Sequence, residues 1–201
     1  MYRILTAALV AASSVSALSL SNECQTALSA VAANTDANAC LSFSSLFTVV
    51  IQSNASIITP VDSWLKSLCS AAPCSNATLS AVVTNVTAGC SAELSLVEQY
   101  YPTARNILCL TDSGTNCITQ TLTNAQAILG TLSISNIGDV IATAFTTTSV
   151  PSNVTCTNCV KEAYNVLNAD FPGTLSAEAS ALQSECGSSF TGTGSVHHST
   201  L

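Results

Sequence analysis

Positive charge is almost absent from this sequence. It contains four Lys and Arg residues against eleven Asp and Glu residues. Without a leader that carries Arg3, only Lys66, Arg105 and Lys161 remain. So few cations cannot form the basic patch with which proteins bind nucleic acid or anionic membranes. The acidic residues form no run, so charge indicates no cationic partner either.

Residues that usually perform catalysis are scarce. The only histidines, His197 and His198, lie in a Gly/Ser/Thr-rich end. The sequence has no nucleophile elbow, phosphate loop, EF-hand or HExxH motif. Carboxylate pairs can still perform acid–base chemistry, but none stands in a recognisable motif; the candidates are Asp62, Glu93, Glu98, Asp112, Asp139 and Asp170. We predict a protein that is not an enzyme and has neither a cofactor nor a metal site, with a carboxylate hydrolase as the enzymatic alternative.

Aromatic residues make up only 5% of the chain. Trp64 stands beside Leu65 and Leu68, so we predict a core residue rather than a platform on which a sugar stacks. The sequence Tyr100-Tyr101-Pro102 predicts a hydrophobic staple at a helix start, with an exposed contact as the alternative.

Long apolar runs are missing after the N-terminus. Met1 to Arg3 form a short basic segment, Ile4 to Ala12 an apolar one, and Val15-Ser16-Ala17 a small-residue cleavage site. This order is typical of a signal peptide, which we place at residues 1–17. A membrane anchor is the alternative, but the run is shorter than the roughly 20 apolar residues of a bilayer span. We predict a secreted, extracellular protein without a transmembrane span.

Cysteine, in contrast, is abundant. The ten cysteines are Cys24, Cys40, Cys69, Cys74, Cys90, Cys109, Cys117, Cys156, Cys159 and Cys186. An even number behind a signal peptide predicts five disulfides formed in an oxidising compartment. About 945 pairings satisfy that count, so the connectivity stays open. Each bridge contributes on the order of 2–4 kcal/mol by restricting the unfolded chain.

The segment Cys156-Thr-Asn-Cys159 has the spacing of a redox pair or of half a zinc site. A zinc site needs a second such pair or a histidine pair, and a thioredoxin-like site needs an α/β pattern. Neither accompanies this segment, so we favour structural disulfides for both cysteines.

Apolar residues recur at helical spacing in nearly every segment. These stripes lie within 24–31, 43–50, 61–68, 79–90, 118–129, 137–144, 159–167 and 175–186. They predict an all-α fold, a disulfide-stapled bundle of about seven to nine short helices. We place the cysteine-rich helical domain at residues 18–190, with a linker within Thr143–Thr155, and a flexible Gly/Ser/Thr tail at residues 191–201.

Local signals predict several helix ends. Thr59-Pro60 predicts a cap followed by the first helical residue. Asn136 predicts a cap for the helix that starts at Ile137. The segment Phe171–Thr174 predicts the end of one helix, a turn and the cap of the next.

Four sequons predict N-glycans at Asn54, Asn76, Asn85 and Asn153. At 100° per residue, Asn85 points away from the apolar face of its predicted helix. Ser and Thr exceed a quarter of the residues, which also permits O-linked sugar. We expect glycans to replace the missing surface charge in keeping the protein soluble.

Two segments share a spacing. Cys24 to Cys40 has the same separation as Cys74 to Cys90, and both contain the tetrad Leu-Ser-Ala-Val, one residue out of register. Internal duplication and chance in an Ala/Ser-rich chain both explain this match.

The cysteine pattern resembles that of a family of fungal cysteine-rich secreted proteins, a ten-cysteine domain of unknown function. The resemblance runs from Cys24 to Phe190 and is strongest in Thr155-Cys156-Thr157-Asn158-Cys159-Val160 and Cys186-Gly187-Ser188-Ser189-Phe190. It implies a secreted or cell-surface protein and assigns no functional residue. Family members often end in a Ser-rich stalk and an apolar anchor signal. Residues 197–201 show no such tail, which speaks against an anchor.

Together these features predict a non-enzymatic, glycosylated fungal protein with a structural, adhesive or interaction role outside the cell, in contact with the cell wall or another partner. The alternative is a carrier of a small apolar ligand, such as a sterol or fatty acid. Such a carrier would enclose a cavity lined by residues such as Phe47, Leu65 and Val83.

Overall fold

The computed structural model describes residues 21–46, 54–90, 97–138, 140 and 151–192, and gives no side-chain placement for 97 and 98. The predicted signal peptide, most of the predicted tail, residues 143–150 of the predicted linker and most of the helix predicted from Ile137 lie outside the described residues. So do Phe47, Glu93 and Asp139.

The described chain is all-α, as predicted, with nine α-helices and one small hairpin. The helices are α1 (Asn22–Ala33), α2 (Thr35–Leu41), α3 (Ile58–Ser70), α4 (Asn76–Cys90), α5 (Val97–Leu108), α6 (Cys117–Leu129), α7 (Ser152–Thr155), α8 (Asn158–Asp170) and α9 (Ser176–Cys186). A 3₁₀ turn covers Phe43–Leu46. The strands β1 (Thr111–Asp112) and β2 (Thr115–Asn116) pair antiparallel around Ser113 and Gly114, both at positive φ. None of the described helices is long and apolar enough to cross a membrane.

The break between α1 and α2 depends on one asparagine. The Asn34 N–H donates to the carbonyls of Ala30 and Val31 and so closes α1. The Asn34 side chain accepts the Ala37 N–H at 2.9 Å and so caps α2. A short polar side chain can serve both ends because it bonds the backbone locally.

The helix start predicted at Thr59-Pro60 is wrong in detail. Helix α3 begins at Ile58, so Thr59 and Pro60 lie inside its first turn rather than ahead of it. The missing N–H of Pro60 has no cost there, because the first-turn donors have no intrahelical partner anyway. The helix predicted from Ile137 begins at that residue. The Asn136 side chain accepts the Ser133 N–H at 2.8 Å and donates to the Thr131 carbonyl, so it fixes the turn that precedes this helix.

The turn after α8 is confirmed, but its cap is not. Helix α8 ends at Asp170, and the chain turns through Gly173 at a φ of 81° before α9 starts at Ser176. The Thr174 hydroxyl donates back to the Phe171 carbonyl at 2.7 Å, so it closes the turn and does not cap α9.

The predicted staple at Pro102 is also wrong, because Pro102 lies inside α5. Its neighbour Tyr101 packs against a small core of Cys40, Cys74 and Leu79. A second core joins Ile57 and Leu132, which is fully buried.

Five disulfides join the helices. The pairs are Cys24–Cys90, Cys40–Cys74, Cys69–Cys109, Cys117–Cys159 and Cys156–Cys186. Every pair links positions of the chain that are 30 to 66 residues apart, and no cysteine is free. The disulfide bonds predicted from the sequence are therefore present, and the bridges hold together helices that are each too short to be stable alone.

Candidate functional site

Helices α1 and α4 form the most extensive helix pair of the described chain. They run antiparallel, and Cys24–Cys90 closes one end of the pair. Cys40–Cys74 joins the end of α2 to the start of α4 and closes the other. The equal cysteine spacing noted in the sequence therefore places two bridges at opposite ends of one antiparallel arrangement.

The surface of this pair carries two neighbouring grooves that share Val31 and Val82. The first, the polar groove, has a volume of about 210 Å³. It is lined by Val31, Asn34, Asp36, Ser75, Ala77, Thr78, Ala81, Val82 and Asn85. The carboxylate of Asp36 is the only ionisable group in this lining, so the groove suits a neutral, hydrogen-bonding ligand.

The second, the apolar groove, has a volume of about 160 Å³. It is lined by Leu28, Val31, Ala32, Phe43, Leu46, Val82 and Val86. The lining differs from the one predicted, because Leu65 is fully buried in the interior and Val83 is not part of the groove. Phe47 lies outside the described residues.

The four predicted glycosylation sites are all exposed. Asn54 lies in the turn before α3, Asn76 is the first residue of α4, and Asn153 lies in α7. Asn85 lies in the middle of α4 and is the only one of the four that lines either groove. Its side-chain Nδ2 donates to the Ala81 carbonyl at 2.8 Å.

The Cys156-x-x-Cys159 segment is divided between two bridges. Cys156 pairs with Cys186 and Cys159 pairs with Cys117. This arrangement agrees with the structural disulfides we favoured over a redox pair or a zinc site. Within the described ranges, no group of three or more His, Cys, Asp or Glu side chains is placed to hold a metal ion.

Arg105 in α5 performs a role that the sequence analysis missed. Its Nη2 donates to the Leu68 carbonyl at 2.8 Å and to the Ala71 carbonyl, and its Nη1 lies 3.4 Å from the Cys40 carbonyl. A cation thus neutralises the negative ends of both α2 and α3. The Tyr101 hydroxyl, 3.5 Å from Nη1, accepts the Cys74 N–H at 3.0 Å. The sequence offered one signal for this role, which was that cations are scarce. A half-buried Arg needs a specific partner, so one of the few cations could be expected to have a structural role.

Two of the candidate carboxylates, Asp62 and Asp170, serve separate contacts between helices. Asp62 bonds Lys66 at 2.7 Å and accepts the Thr119 hydroxyl at 3.0 Å, which joins α3 to α6. The hydrogen bond from Lys66 is the main cause that lowers the pKa of Asp62; burial opposes it and the Thr119 hydroxyl assists. Asp170 accepts the hydroxyl of the buried Thr103 and joins α8 to α5.

The two predicted aromatic features have structural partners. Trp64 is half-buried and its Nε1 donates to the Leu41 carbonyl at 2.8 Å, as expected for a core residue rather than an exposed platform. Tyr100 packs edge-on against Phe171 with ring centroids 5.2 Å apart.

Comparison of the chain with models of known protein families, with curated proteins and with solved structures gives no match.

Proposed function

We propose that this chain is a non-enzymatic, glycosylated protein of the fungal cell surface or extracellular space, with a structural, adhesive or interaction role. The observation that carries the proposal is the disulfide framework. All ten cysteines are paired, and every pair links positions of the chain that are 30 to 66 residues apart. Cross-links of this density are typical of proteins that mature in an oxidising compartment and work outside the cell.

The surface chemistry supports the same proposal. With 7% charged residues, the chain has little ionic solvation of its own, and all four sequon asparagines are exposed. Glycans on these positions would provide the hydration that the missing charges do not.

The contacts of the polar side chains also favour a scaffold. Arg105 and Trp64 bind backbone carbonyls, and Asp62 and Asp170 join pairs of helices. These side chains stabilise the fold and leave helix surfaces, rather than a reactive centre, as the part that meets a partner.

The test is secretion of the full chain from a yeast host, followed by measurement of thiols, glycans and binding to purified fungal cell walls. We expect export, no reactive thiol in the unfolded unreduced protein, a loss of mass after glycosidase treatment, and retention on the walls. Reduced and alkylated protein is the control and should lose wall retention. Several reactive thiols, or failure to bind walls and intact fungal cells, would contradict the proposal.

The apolar groove favours a second candidate, a carrier of a fatty-acyl or sterol ligand. Its lining contains only apolar side chains. Its volume of about 160 Å³ is below the roughly 300–1,000 Å³ of small-molecule pockets, so it would hold part of a ligand rather than enclose it.

A matched pair of variants tests the carrier. Leu28 lines the groove and is 40% exposed, whereas Ile128 lies elsewhere and is 44% exposed. Leu28→Gln should abolish binding of a fluorescent fatty acid, and Ile128→Gln should preserve it. Equal binding by the two variants, or no co-purified lipid in native mass spectrometry of the wild type, would count against a carrier.

A further inference from the structure

All four sequon asparagines are exposed, but only Asn85 also forms part of the wall of the polar groove. A glycan on Asn85 therefore starts beside a concave surface, whereas glycans on Asn54, Asn76 and Asn153 start outside both grooves.

The Asn85 side chain directs its attachment atom towards a residue of its own helix, Ala81, that also lines this groove. Its Nδ2 donates to the carbonyl of Ala81, one turn towards the start of α4, which is the direction in which helical side chains lean. The groove residues of α4, among them Thr78 and Ala81, all precede Asn85 in the helix. A glycosylated amide nitrogen keeps one hydrogen, so the bond to Ala81 is compatible with the attached sugar.

The opposite wall has the chemistry that binds a sugar ring. Asn34 and Asp36 provide an amide and a carboxylate from the α1–α2 junction. Thr78 lies on the same wall as Asn85 and bonds the Ser75 hydroxyl. Val31 and Val82 give an apolar floor for the less polar face of a ring. The volume of about 210 Å³ is below the roughly 300–1,000 Å³ of pockets for larger ligands, which suits a single sugar.

We propose that an N-glycan on Asn85 places its first sugar, an N-acetylglucosamine, in the polar groove and so braces α4 against the α1–α2 junction. The sugar arrives by transfer from a lipid diphosphate donor. The bond from Nδ2 to C1 forms, the bond from C1 to the diphosphate oxygen breaks, and one Nδ2 proton leaves. This inference rests on the proposed glycosylation and extends it, because it assigns a structural role to one of the four sites.

The experiment compares forms of the full secreted chain that differ in their glycans. Thr87→Ala removes the Asn85 sequon through an exposed residue outside the groove, and Thr87→Ser keeps it. Asn76→Gln removes another glycan from the same helix. An endoglycosidase that leaves one N-acetylglucosamine on each asparagine gives the trimmed wild type. The difference in Tm between unglycosylated wild type and unglycosylated Thr87→Ala measures the effect of the substitution alone.

We expect Thr87→Ala to lower Tm by about 2–4 °C, although alanine is the better helix former. Trimmed wild type, Thr87→Ser and Asn76→Gln should keep the Tm of the full glycoprotein. In Thr87→Ala, the amides of the α1–α2 junction should also exchange hydrogen faster.

Mass spectrometry separates the two ways in which the idea can fail. An unoccupied Asn85, or a Thr87→Ala glycoprotein as stable as its parent, overturns the inference while the proposed function stands. A chain without glycan at any sequon overturns both the inference and the proposed glycosylation.

Discussion

Gly89 lies at a close approach of α1 and α4, and its replacement by alanine tests the geometry of this helix pair. A Cβ added at Gly89 would overlap the Cβ of Ala27 and lie 2.8 Å from the Glu23 carbonyl oxygen. The carbonyl belongs to the α1 backbone and cannot rotate away. The neighbouring residue Cys90 is bonded to Cys24, with Cα atoms 4.2 Å apart, so the helices cannot separate freely either.

Two effects of opposite sign decide how much Gly89→Ala changes the free energy of unfolding. Glycine to alanine inside an exposed helix gains about 1 kcal/mol from propensity. Overpacking of a tight contact costs about 1–3 kcal/mol. Since backbone atoms form one side of this contact, we expect the upper part of that range and a net loss of about 1–2 kcal/mol. For a chain of this size, this corresponds to a fall in Tm of about 2–8 °C.

The assay is thermal unfolding followed by circular dichroism, on Gly89→Ala, Ala88→Gly and the double variant Gly89→Ala/Ala27→Gly. Ala88 is exposed, so Ala88→Gly measures the propensity term at this point of the helix. The double variant removes one of the two overlaps and should recover part of the loss beyond additivity. A Gly89→Ala protein more stable than the parent by the amount that Ala88→Gly loses would refute the close approach of α1 and α4.

Three further outcomes are expected. Arg105→Met leaves helix-end carbonyls without their cation and should cost about 2–3 kcal/mol in unfolding by denaturant, whereas Lys66→Met, at an exposed ion pair, should cost about 0–1 kcal/mol; equal costs would contradict the role of Arg105. The lowered pKa of Asp62 gives stability that is present above its ordinary pKa and is lost as pH falls through the folded-state value. Asp62→Asn should therefore flatten the fall of Tm between about pH 5 and about pH 2, and an unchanged pH profile would argue against the bond to Lys66. Non-reducing peptide mapping should place Cys156 and Cys159 in different bridges, and a Cys156–Cys159 peptide would invalidate the pairing described above.

Much of the helical content was predictable because each helix has to bury one face. The stripes that contain Leu65 and Leu68, Leu79, and Cys159 and Val166 all lie in α-helices, with these residues buried. The stripe predicted from Phe43 is described only as far as Leu46, where it forms a 3₁₀ turn.

Helix ends were predicted less well, since several local bonds compete at the same residues. Thr59, Asn136 and Thr174 all have side chains that can cap a helix. Neither Thr59 nor Thr174 caps the predicted helix, and the bonds described for Asn136 and Thr174 close turns. Short polar side chains bond whichever backbone group is nearest, and the path of the chain decides which group that is.

The grooves and the role of Arg105 had no signal at the level of a motif. The polar groove brings together Asn34 and Asp36 from the α1–α2 junction and Asn85 from α4, which are distant in sequence. Arg105 binds carbonyls of two helices that precede its own. Such contacts depend on how helices pack rather than on the order of residues within one of them.

The sequence by itself determined that this chain forms amphipathic helices and pairs its cysteines, because periodicity, cysteine number and low charge are local or additive properties. Only the tertiary structure decided which cysteine meets which and that Asn85 borders a groove. The two bridges of Cys24 and Cys40 show the reason. The sequence shows that Cys24 and Cys40 have the same separation as Cys74 and Cys90. Only the antiparallel direction of α1 and α4 decides that Cys24 pairs with Cys90 and Cys40 with Cys74. That direction is a property of how two helices distant in sequence pack, which no single segment contains.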